Sequence, residues 1–467
     1  MMKQTKHKLS QMQTDILSSS FRDPSGFLFS RDGEIYRQIN KTYQANYDYL
    51  ISSGLYQKLI DKRLLIPHQE VDIEPLLHDT AYKVIQPERI EFISYPFEWC
   101  FTQLQDAALI TLRVQNIALQ YGMSLKDSSS YNIQFHNGKP LLIDTLSFEI
   151  YREGQPWIAY RQFCQHFLAP LSLMAYKDFR LNQLLRDYID GLPLDLTSRL
   201  LPAKTRLNFP VLMHIHTHAA SQKRMAGKEL DSKGKMSRTS FLGLLDSLES
   251  SIRKLKWQPS GTEWGEYYQD NNYSVQGFKH KQKLVGEYLD VLNPKRVWDL
   301  GANVGIFSRL ASERGAFTIA FDSDQAAVEK NYLKCRQDRE KNLLPLIIDL
   351  INPSPNIGWA NRERMTIVER GPADTILALA LIHHLAISNN VPLDRICKYF
   401  RSLGNSLIIE FVPKDDSQVK RLLVSREDIF ADYTRPAFEN IFSRQFDIRR
   451  AERVQDSSRH IYLMVGR

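Results

Sequence analysis

The chain has 467 residues, of which 43% are hydrophobic and 24% charged, and its formal net charge is +8. This composition is typical of a soluble globular protein, and the length predicts two or three domains rather than a single core. The excess positive charge is spread over the whole chain, so it allows a phosphate-bearing partner without requiring one. No apolar run is long enough to span a bilayer, and the N-terminus lacks the apolar core of a secretory signal.

The four cysteines lie far apart in the sequence and form no C-x-x-C pair. A cysteine zinc site is therefore not expected. Scattered cysteines in a basic chain favour a reducing compartment, and we expect a cytoplasmic protein that holds no structural metal.

Residues 1–205 predict an N-terminal α+β domain. The segment Phe21–Ile39 predicts a hairpin, because Asp32-Gly33 is a strong hairpin turn between two short runs rich in aromatic residues and isoleucine. The further elements expected here are a helix over Tyr43–Arg63, strands over Ala81–Ile85 and Arg89–Tyr95, an amphipathic helix over Phe101–Tyr121, and buried helices over Trp157–Tyr176 and Phe179–Tyr188.

The stretch Ser124–Glu149 combines three polar side chains with a hairpin. Asp127 lies five residues before Asn132. A turn at Asn137-Gly138 then joins two short strands, the second of which ends at Asp144. This spacing resembles the catalytic loop and the metal-binding aspartate of the protein-kinase and aminoglycoside-phosphotransferase fold. If the domain transfers phosphoryl groups, the resemblance implies that Asp127 is the base and that Asn132 and Asp144 bind the metal.

The same stretch departs from that family's pattern. Leu125-Lys126 stands where the family has His-Arg, and Thr145-Leu146 follows Asp144 where protein kinases have Phe-Gly. No glycine-rich phosphate loop precedes it, and Lys83 is the candidate for the lysine that contacts phosphate. We therefore expect a kinase-like fold that has lost or altered phosphoryl transfer. An ordinary hairpin with an Asn-Gly turn is the alternative interpretation.

Residues 206–260 predict a helical and basic linker. Within it, His214, His216 and His218 alternate, so on a strand they would share one face as possible metal ligands, whereas on a helix the first and third would be neighbours. No carboxylate or cysteine accompanies them, which favours packed or solvated histidines. The polar, basic stretch Ser221–Ser240 predicts a flexible hinge, with contact to RNA or acidic lipid as the alternative. Phe241–Leu255 predicts an amphipathic helix.

Residues 261–467 predict an α/β domain built around one strand–loop–helix unit. An apolar strand at Val297-Trp298 runs into Asp299, and a loop with two glycines follows at Gly301–Gly305. Such a turn lets a ligand approach the backbone closely and presents free N–H groups of the next helix. The other elements expected are a helix over Lys279–Leu292, strands over Phe317–Phe321, Leu344–Ile348, Asp374–Leu381 and Ser406–Phe411, and a final antiparallel pair over Phe446–Arg453 and His460–Val465.

Carboxylates follow three of these strands. Asp322 ends the second strand, 23 residues after Asp299, and Asp349 ends the third. The fourth strand ends just before His383-His384. Together with the terminal strand pair, this series resembles the class I S-adenosylmethionine-dependent methyltransferase family. The resemblance implies a Rossmann-like seven-stranded sheet over the C-terminal half and S-adenosyl-L-methionine as the cofactor.

The resemblance also implies roles for single residues. Asp299 would receive the ammonium group of the cofactor, Asp322 the two ribose hydroxyls, and Asp349 the adenine amino group. Aromatic side chains of the lead-in segment, Tyr268 and Tyr273, would cover the sulfonium. The loop residues that would cradle the methionine end are Gly301, Ala302, Asn303 and Gly305. The asparagine replaces the usual middle glycine, and asparagine tolerates left-handed backbone.

His383 and His384 would lie where the acceptor meets the methyl group. An imidazole can take the proton of a hydroxyl acceptor, although displacement at an activated sulfonium also proceeds by proximity alone. Lining the adenine pocket is the alternative role. No Asn-Pro-Pro-Tyr or Pro-Cys motif follows the fourth strand, so methylation of adenine or glutamine amino groups, or of a cytosine carbon, is not expected.

The sequence thus predicts a two-domain S-adenosylmethionine-dependent methyltransferase whose N-terminal half binds or presents the methyl acceptor. The favoured acceptor is an oxygen of a small metabolite or saccharide, with RNA second. Three alternatives remain. They are a bifunctional kinase–methyltransferase, a non-catalytic binding protein, and an NAD-dependent oxidoreductase, since an acid on the ribose serves both cofactors.

Overall fold

The computed structural model describes residues 14–218, 236–258, 273–424 and 426–467. Its strands form two main sheets, one in each half of the chain, and two short antiparallel pairs. No helix among these residues is both long and apolar enough to cross a lipid bilayer.

The strands are β1 (Thr14–Ile16), β2 (Gly26–Arg31), β3 (Glu34–Asn40), β4 (His68–Glu70), β5 (Ala81–Pro87), β6 (Met123–Leu125), β7 (Ile133–His136), β8 (Lys139–Leu142), β9 (Phe148–Ile150), β10 (Arg296–Leu300), β11 (Phe317–Asp322), β12 (Leu343–Ile347), β13 (Ala373–Ala378), β14 (Gly404–Phe411), β15 (Phe446–Arg453) and β16 (His460–Gly466). The helices are α1 (Gln44–Ser52), α2 (Leu55–Asp61), α3 (Phe101–Gln120), α4 (Tyr160–Phe163), α5 (Ala169–Tyr176), α6 (Leu184–Asp187), α7 (Leu194–Leu200), α8 (Phe209–Val211), α9 (Arg238–Lys254), α10 (Val275–Leu292), α11 (Ile306–Ser312), α12 (Gln325–Asp338), α13 (Leu393–Leu403), α14 (Ser417–Leu423) and α15 (Arg435–Phe442). Turns of π-helix occur at Cys164–Leu168, Leu212–Thr217 and His384–Ser388.

The N-terminal sheet is antiparallel, with strand order β1-β2-β3-β5-β4. The predicted hairpin is confirmed, because Arg31 pairs with Glu34 across the turn. Asp32 and Gly33 have φ angles of 54° and 84°, the positive values that both central residues of a type I′ turn adopt.

Two expectations for this sheet are corrected. The helix predicted over Tyr43–Arg63 is divided into α1 and α2 at Gly54, whose φ of 81° is left-handed. The strand predicted at Arg89–Tyr95 is wrong, since β5 ends at Pro87 and residues 88–100 form no strand. Pro87 has no N–H to donate to a ladder. β5 pairs instead with β3 and with β4, a strand that the sequence did not predict.

The elements after this sheet follow the predicted kinase-like order. α3 is the long amphipathic helix, and β7 and β8 form the predicted hairpin, with Asn137 and Gly138 at φ angles of 50° and 73°. β6 pairs with β9 on either side of it. The order along the chain is a five-stranded antiparallel sheet, a long helix, the Asp127–Asn132 segment, a hairpin and then Asp144. The last three follow one another as the resemblance implies.

α9 packs on the N-terminal half. Its Leu245, Leu248 and Ile252 are buried, and the Gln105 side chain on α3 donates hydrogen bonds to the backbone carbonyls of Ile252 (2.8 Å) and Leu255 (3.0 Å). The amphipathic helix predicted here is therefore confirmed. The expected hinge at 221–240 lies mostly outside the described residues.

The C-terminal sheet has seven strands in the order β12-β11-β10-β13-β14-β16-β15. The first five are parallel, and β16 runs antiparallel to both β14 and β15. This is the Rossmann-like sheet with a reversed final pair that the sequence predicts. The carboxyl ends of β10, β11 and β13 therefore meet at one edge, next to the point where the strand order changes direction.

The two faces of this sheet are covered by different parts of the chain. Val297 of β10 joins a buried cluster with residues of α10 and α11, whereas its neighbour Trp298 belongs to the large cluster that includes the N-terminal core. The ring of Phe92 lies 5.7 Å from Trp298 and 6.1 Å from Phe321, both edge-on. The two halves thus share one hydrophobic core.

Candidate cofactor site

A cavity of about 400 Å³ opens at the carboxyl ends of β10, β11 and β13. The residues after each of these strands line it, together with side chains from α10, α11 and the start of the π turn after β13. Of the residues predicted to bind a cofactor, the cavity is lined by Asp299, Gly301, Ala302, Asn303, Asp322 and Tyr273.

The glycine loop takes the left-handed backbone that its composition allows. Gly301, Asn303 and Gly305 have φ angles of 76°, 49° and 77°. Gly305 does not line the cavity and packs instead against α12. A Cβ at this position would lie 2.5 Å from the Asn331 amide nitrogen. Its role is to let α11 begin close to α12, while Gly301–Asn303 present their backbone to the cavity.

Two carboxylates face the cavity, that of Asp299 buried and that of Asp322 half-buried. Asp322 accepts hydrogen bonds from the backbone N–H of Asn303 (2.7 Å) and of Asp324 (2.8 Å), which ties β11 to the glycine loop. Asp299 accepts one from the Ser308 hydroxyl at 2.6 Å. Burial raises the pKa of Asp299 to about 7 and that of Asp322 to about 6. A cation or a hydrogen-bond donor bound in the cavity would therefore stabilise the ionised form of both carboxylates and lower their pKa values.

A buried ionic cluster forms the floor beside Asp299. The Lys281 ammonium on α10 lies 2.7 Å from a carboxylate oxygen of Glu410 and donates to the Tyr273 hydroxyl at 3.2 Å. Tyr273 in turn donates to Glu410 and accepts from Arg459 at 2.7 Å. Burial lowers the pKa of Lys281, against the opposing effect of Glu410. Three elements distant in sequence are thus joined at one carboxylate.

Glu410 also shapes the loop after β13. Its second interaction through the same oxygen is with the backbone N–H of Ala380, at 2.7 Å. Ala380 has a φ of 50°, a left-handed value that costs a residue with a Cβ about 1 kcal/mol or more. The carboxylate therefore holds in place the strained residue that precedes the two histidines.

The two histidines differ in position. His384 lines the cavity, whereas His383 is buried beneath it with its Nδ1 without a partner. Their ring centroids are 4.1 Å apart. Burial, followed by Arg459, lowers the pKa of His384 to about 4, and burial also lowers the pKa of His383 well below its ordinary value. Both imidazoles are therefore neutral at physiological pH, and only His384 is placed to meet a ligand.

One expected cofactor contact stands apart from the cavity. Asp349 is exposed just after β12 and does not line it, and its carboxylate accepts from the backbone N–H of Ile351 at 2.9 Å. Its position does not support the predicted contact with adenine, because the side chain is used to turn the chain after the strand. Tyr268 lies outside the described residues.

The kinase-like residues form a separate cluster in the N-terminal half. Arg37 of β3 pairs with Asp144 at 2.5 Å, and the Asn132 amide donates to the Ser147 hydroxyl at 3.3 Å. Burial opposes ionisation of Asp144, but Arg37, the hydrogen bonds from Ser147 and from the Leu146 N–H, and Lys126 together lower the pKa of that carboxyl. Burial and then Asp144 raise the pKa of Asp127. The cation beside Asp144 is thus Arg37.

Lys83 and two of the three alternating histidines have structural partners. Lys83 pairs with Glu70 at 2.6 Å, and its contact with phosphate stays a prediction. His214 bonds to Tyr160 and Ser247, and His216 to Ser198 and Thr205, all through ring nitrogens at 2.7 to 3.0 Å. Within the described part of the chain no group of three or more metal-ligating side chains comes together. These histidines are packed rather than ligating.

No protein-family model matches the chain. The nodulation protein NoeA of Rhizobium meliloti (strain 1021) is 35% identical to it over 457 residues, which cover 96% of this chain and 95% of NoeA. The chain belongs to the NoeA family.

Solved structures similar to this NoeA-family chain cover about two-fifths of it. Magnesium protoporphyrin IX methyltransferase of Synechocystis PCC 6803, with bound SAH, is 18% identical over 44% of this chain and 93% of its own, with a TM-score of 0.32. The bifunctional kinase-methyltransferase WbdD is 14% identical over 46% of this chain and 45% of its own, with a TM-score of 0.29. The strand order given above assigns the C-terminal half of the NoeA-family chain to the class I methyltransferase fold.

Sequence reasoning missed the ionic cluster of this NoeA-family protein. Lys281 lies three residues from both Phe278 and Leu284, on the apolar stripe of α10, and Glu410 interrupts the apolar run of β14. A charged residue on an apolar face signals a buried pair. The signal was present at both positions, but nothing in the sequence joined them.

Proposed function

We propose that this protein is an S-adenosylmethionine-dependent methyltransferase that methylates an oxygen acceptor. The observation that supports this best is that Asp299, Lys281 and Asp322 line one cavity at the carboxyl edge of the sheet. A carboxylate and an ammonium group side by side match the zwitterion of an amino acid, and a second carboxylate matches a ribose diol. S-adenosylmethionine carries both groups.

The side chains hold the cofactor by charge and hydrogen bonding. Asp299 receives the ammonium group, and Lys281, already oriented by Glu410 and Tyr273, receives the carboxylate. Asp322 accepts both ribose hydroxyls, and the Gly301–Asn303 backbone lies against the methionine end. When bound, the cofactor supplies a methyl group on a sulfonium, activated for displacement by a lone pair.

His384 provides the base. Its low pKa keeps it neutral and able to accept a proton at physiological pH. It would take the proton of the acceptor hydroxyl, and the bound cofactor would supply the methyl group. The His383 ring lies beside the His384 ring at a tilt of 41° and supports it. We infer that the acceptor is a small metabolite or saccharide, with RNA second.

An NAD-dependent oxidoreductase is disfavoured by the same cavity. NAD has no amino acid moiety to meet Asp299 and Lys281. Its pyrophosphate needs an open helix N-terminus, whereas at Gly305 the Asn331 amide and the Arg309 guanidinium lie within 2.8 Å of the position of a Cβ. The four cysteines are all free and buried, which is compatible with the reducing conditions of a cytoplasmic enzyme.

Calorimetry and isotope transfer test this function. Titration of the full chain with S-adenosylmethionine, S-adenosylhomocysteine, NAD and ATP should show binding of the first two, and NAD binding in their place would favour the oxidoreductase. Radiolabelled methyl transfer into fractionated cell extract should then identify the acceptor. Tight cofactor binding without transfer to any fraction would favour a non-catalytic binding protein.

Cofactor affinity should depend on pH through the two raised aspartates. The cationic ammonium group binds ionised Asp299, so binding must remove the proton that this carboxyl carries below its pKa of about 7. We expect affinity for S-adenosylmethionine to fall about tenfold per pH unit below about pH 7. Calorimetry in buffers of different ionisation enthalpy should also record proton release on binding. An affinity independent of pH between about 5 and 8 would contradict the role of Asp299.

Replacing His384 with alanine should lower the rate of methyl transfer rather than cofactor affinity. Loss of a general base costs about 10²- to 10⁴-fold in kcat. The measurement is single-turnover transfer from the labelled cofactor with saturating acceptor fraction, alongside calorimetry with S-adenosylhomocysteine. His78→Ala, at an exposed site of the N-terminal half, is the matched control. An unchanged rate in His384→Ala would show that proximity alone carries the reaction.

A further inference from the structure

The connection between β12 and β13 reaches from the methyltransferase sheet into the N-terminal half. Residues 357–366 of this connection are called the insertion loop. The Arg364 guanidinium lies 4.4 Å from the centroid of the Tyr131 ring, within the Asp127–Asn132 segment. The backbone N–H of Met365 donates to the Tyr95 hydroxyl at 2.7 Å. One side of the loop thus rests on the segment that corresponds to a kinase catalytic loop.

The other side of the insertion loop contacts the turn between β1 and β2. Arg22 in this turn donates to Glu363 at 2.8 Å, and the Ser18 hydroxyl donates to the backbone carbonyl of Arg362. In a kinase the corresponding turn is the glycine-rich loop that covers the phosphates. The insertion loop therefore lies between the two elements that would enclose an acceptor in front of Asp127.

Inside the cleft, the groups that would hold phosphate and metal are bound to one another. Arg37 pairs with Asp144 at 2.5 Å and with Asp23, in the β1–β2 turn, at 3.1 Å. Lys126 donates to the Ser25 hydroxyl of the same turn at 2.6 Å. The β1–β2 turn thus contacts Arg37 and Lys126, the cations that a bound nucleotide would otherwise contact.

The N-terminal half also covers a face of the methyltransferase sheet. Among the described residues between β12 and β13, the helical content is a single 3₁₀ turn, Trp359–Asn361. Arg370, at the end of this connection, pairs with Glu98 through two bonds of 2.5 and 2.9 Å, and both side chains are 1% exposed. The Thr102 N–H and the Gln103 amide on α3 bond to Glu329 and to the Pro345 carbonyl at 3.0 and 2.9 Å.

We propose that the kinase-like half is a built-in structural partner of the methyltransferase half and not a phosphotransferase. Its cleft receives the insertion loop, and its Pro96–Glu98 turn and α3 supply the cover that the sheet lacks between β12 and β13. The surface that a kinase offers to its acceptor is here an interface within one chain. This inference does not depend on which cofactor the C-terminal cavity binds.

Two measurements on the full chain test the proposal. Calorimetry with Mg²⁺-ATP should record no binding up to about millimolar nucleotide, and denaturant unfolding should be one transition, the same by tryptophan fluorescence and by circular dichroism. Arg370→Ala strands Glu98 without its partner and should lower the folded-to-unfolded ratio about a hundredfold or more, with both probes shifting together. Arg180→Ala, at an exposed ion pair, should leave the transition in place.

Other outcomes overturn it. Micromolar binding of Mg²⁺-ATP that is lost in Asp144→Ala would show a working phosphotransferase cleft, and two separate unfolding transitions would show independent halves. If Arg370→Ala yields no folded protein, Arg370→Lys, which keeps the charge but loses the paired bonds, takes its place with a smaller shift expected in the same direction. If the full chain gives the expected results in these measurements but does not bind S-adenosylmethionine, the proposed methyltransferase function is wrong and the structural role of the N-terminal half stands.

Discussion

Replacing Asp322 with alanine should weaken the binding of S-adenosylmethionine and S-adenosylhomocysteine by about a hundredfold or more. The carboxylate is half-buried at the end of β11, and two hydroxyls of a ribose would share it. Each hydrogen bond to a charged group contributes about 1.5–3 kcal/mol, and two of them amount to a factor of at least about 100 in affinity. The same carboxylate accepts the Asn303 N–H at 2.7 Å, so its loss also loosens the glycine loop.

The Asp322 experiment has a matched control in the same sheet. Asp349→Ala removes an aspartate that follows the neighbouring strand but is exposed and outside the cavity, and it should leave affinity within about threefold. Thermal unfolding of both variants separates a lost contact from a lost fold. Equal affinities of wild type and Asp322→Ala would remove the ribose contact from the assignment, and a large loss in Asp349→Ala would restore the adenine contact predicted from the sequence.

Replacing Glu410 with glutamine should destabilise the folded protein by about 3–5 kcal/mol, because it removes the charge that balances the buried Lys281 ammonium at 2.7 Å. Arg459, 3.9 Å from Glu410, keeps its closer ion pair with Asp416 at 2.7 Å. The side chains of Lys281 and Arg459 are 3% and 1% exposed, and that of Glu410 is fully buried. Glutamine keeps the shape, so the change isolates the charge. Denaturant unfolding measures the cost.

The matched control for Glu410 is Glu249→Gln, which removes one partner of an exposed ion pair on α9. Such pairs contribute about 1 kcal/mol or less. Since Lys281 and Tyr273 both depend on Glu410 and both line the cavity, Glu410→Gln should also weaken S-adenosylmethionine binding. A loss of stability no larger than that of Glu249→Gln would mean that the Lys281 ammonium finds another partner.

Several features of this protein were readable in the sequence because they depend on neighbouring residues. The Asp32-Gly33 and Asn137-Gly138 turns form as predicted, since positive φ is a local property of these residues. The Gly301–Gly305 loop and Asp322 reach one cavity because parallel strands bring their carboxyl ends to a common edge. The seven-stranded sheet was predicted from the alternation of apolar strands and helices, which is also a pattern of neighbouring residues.

Other features were decided only by tertiary structure. Asp349 resembles Asp322 in the sequence, yet it turns outward, because the chain after β12 leaves the sheet for the N-terminal half. Arg37 of β3 pairs with Asp144, more than a hundred residues further along the chain, and nothing in the spacing of the sequence indicated this contact.

The sequence by itself determined the α/β fold of the C-terminal half, the glycine loop and the carboxylates that follow the strands, because these depend on local backbone preference and hydrophobic period. The tertiary structure decided how the cavity is charged and how the halves are joined. Lys281 and Glu410 are 129 residues apart, and Glu98 and Arg370 are 272 apart. A buried charge requires a partner, but only the packing of distant elements selects which one.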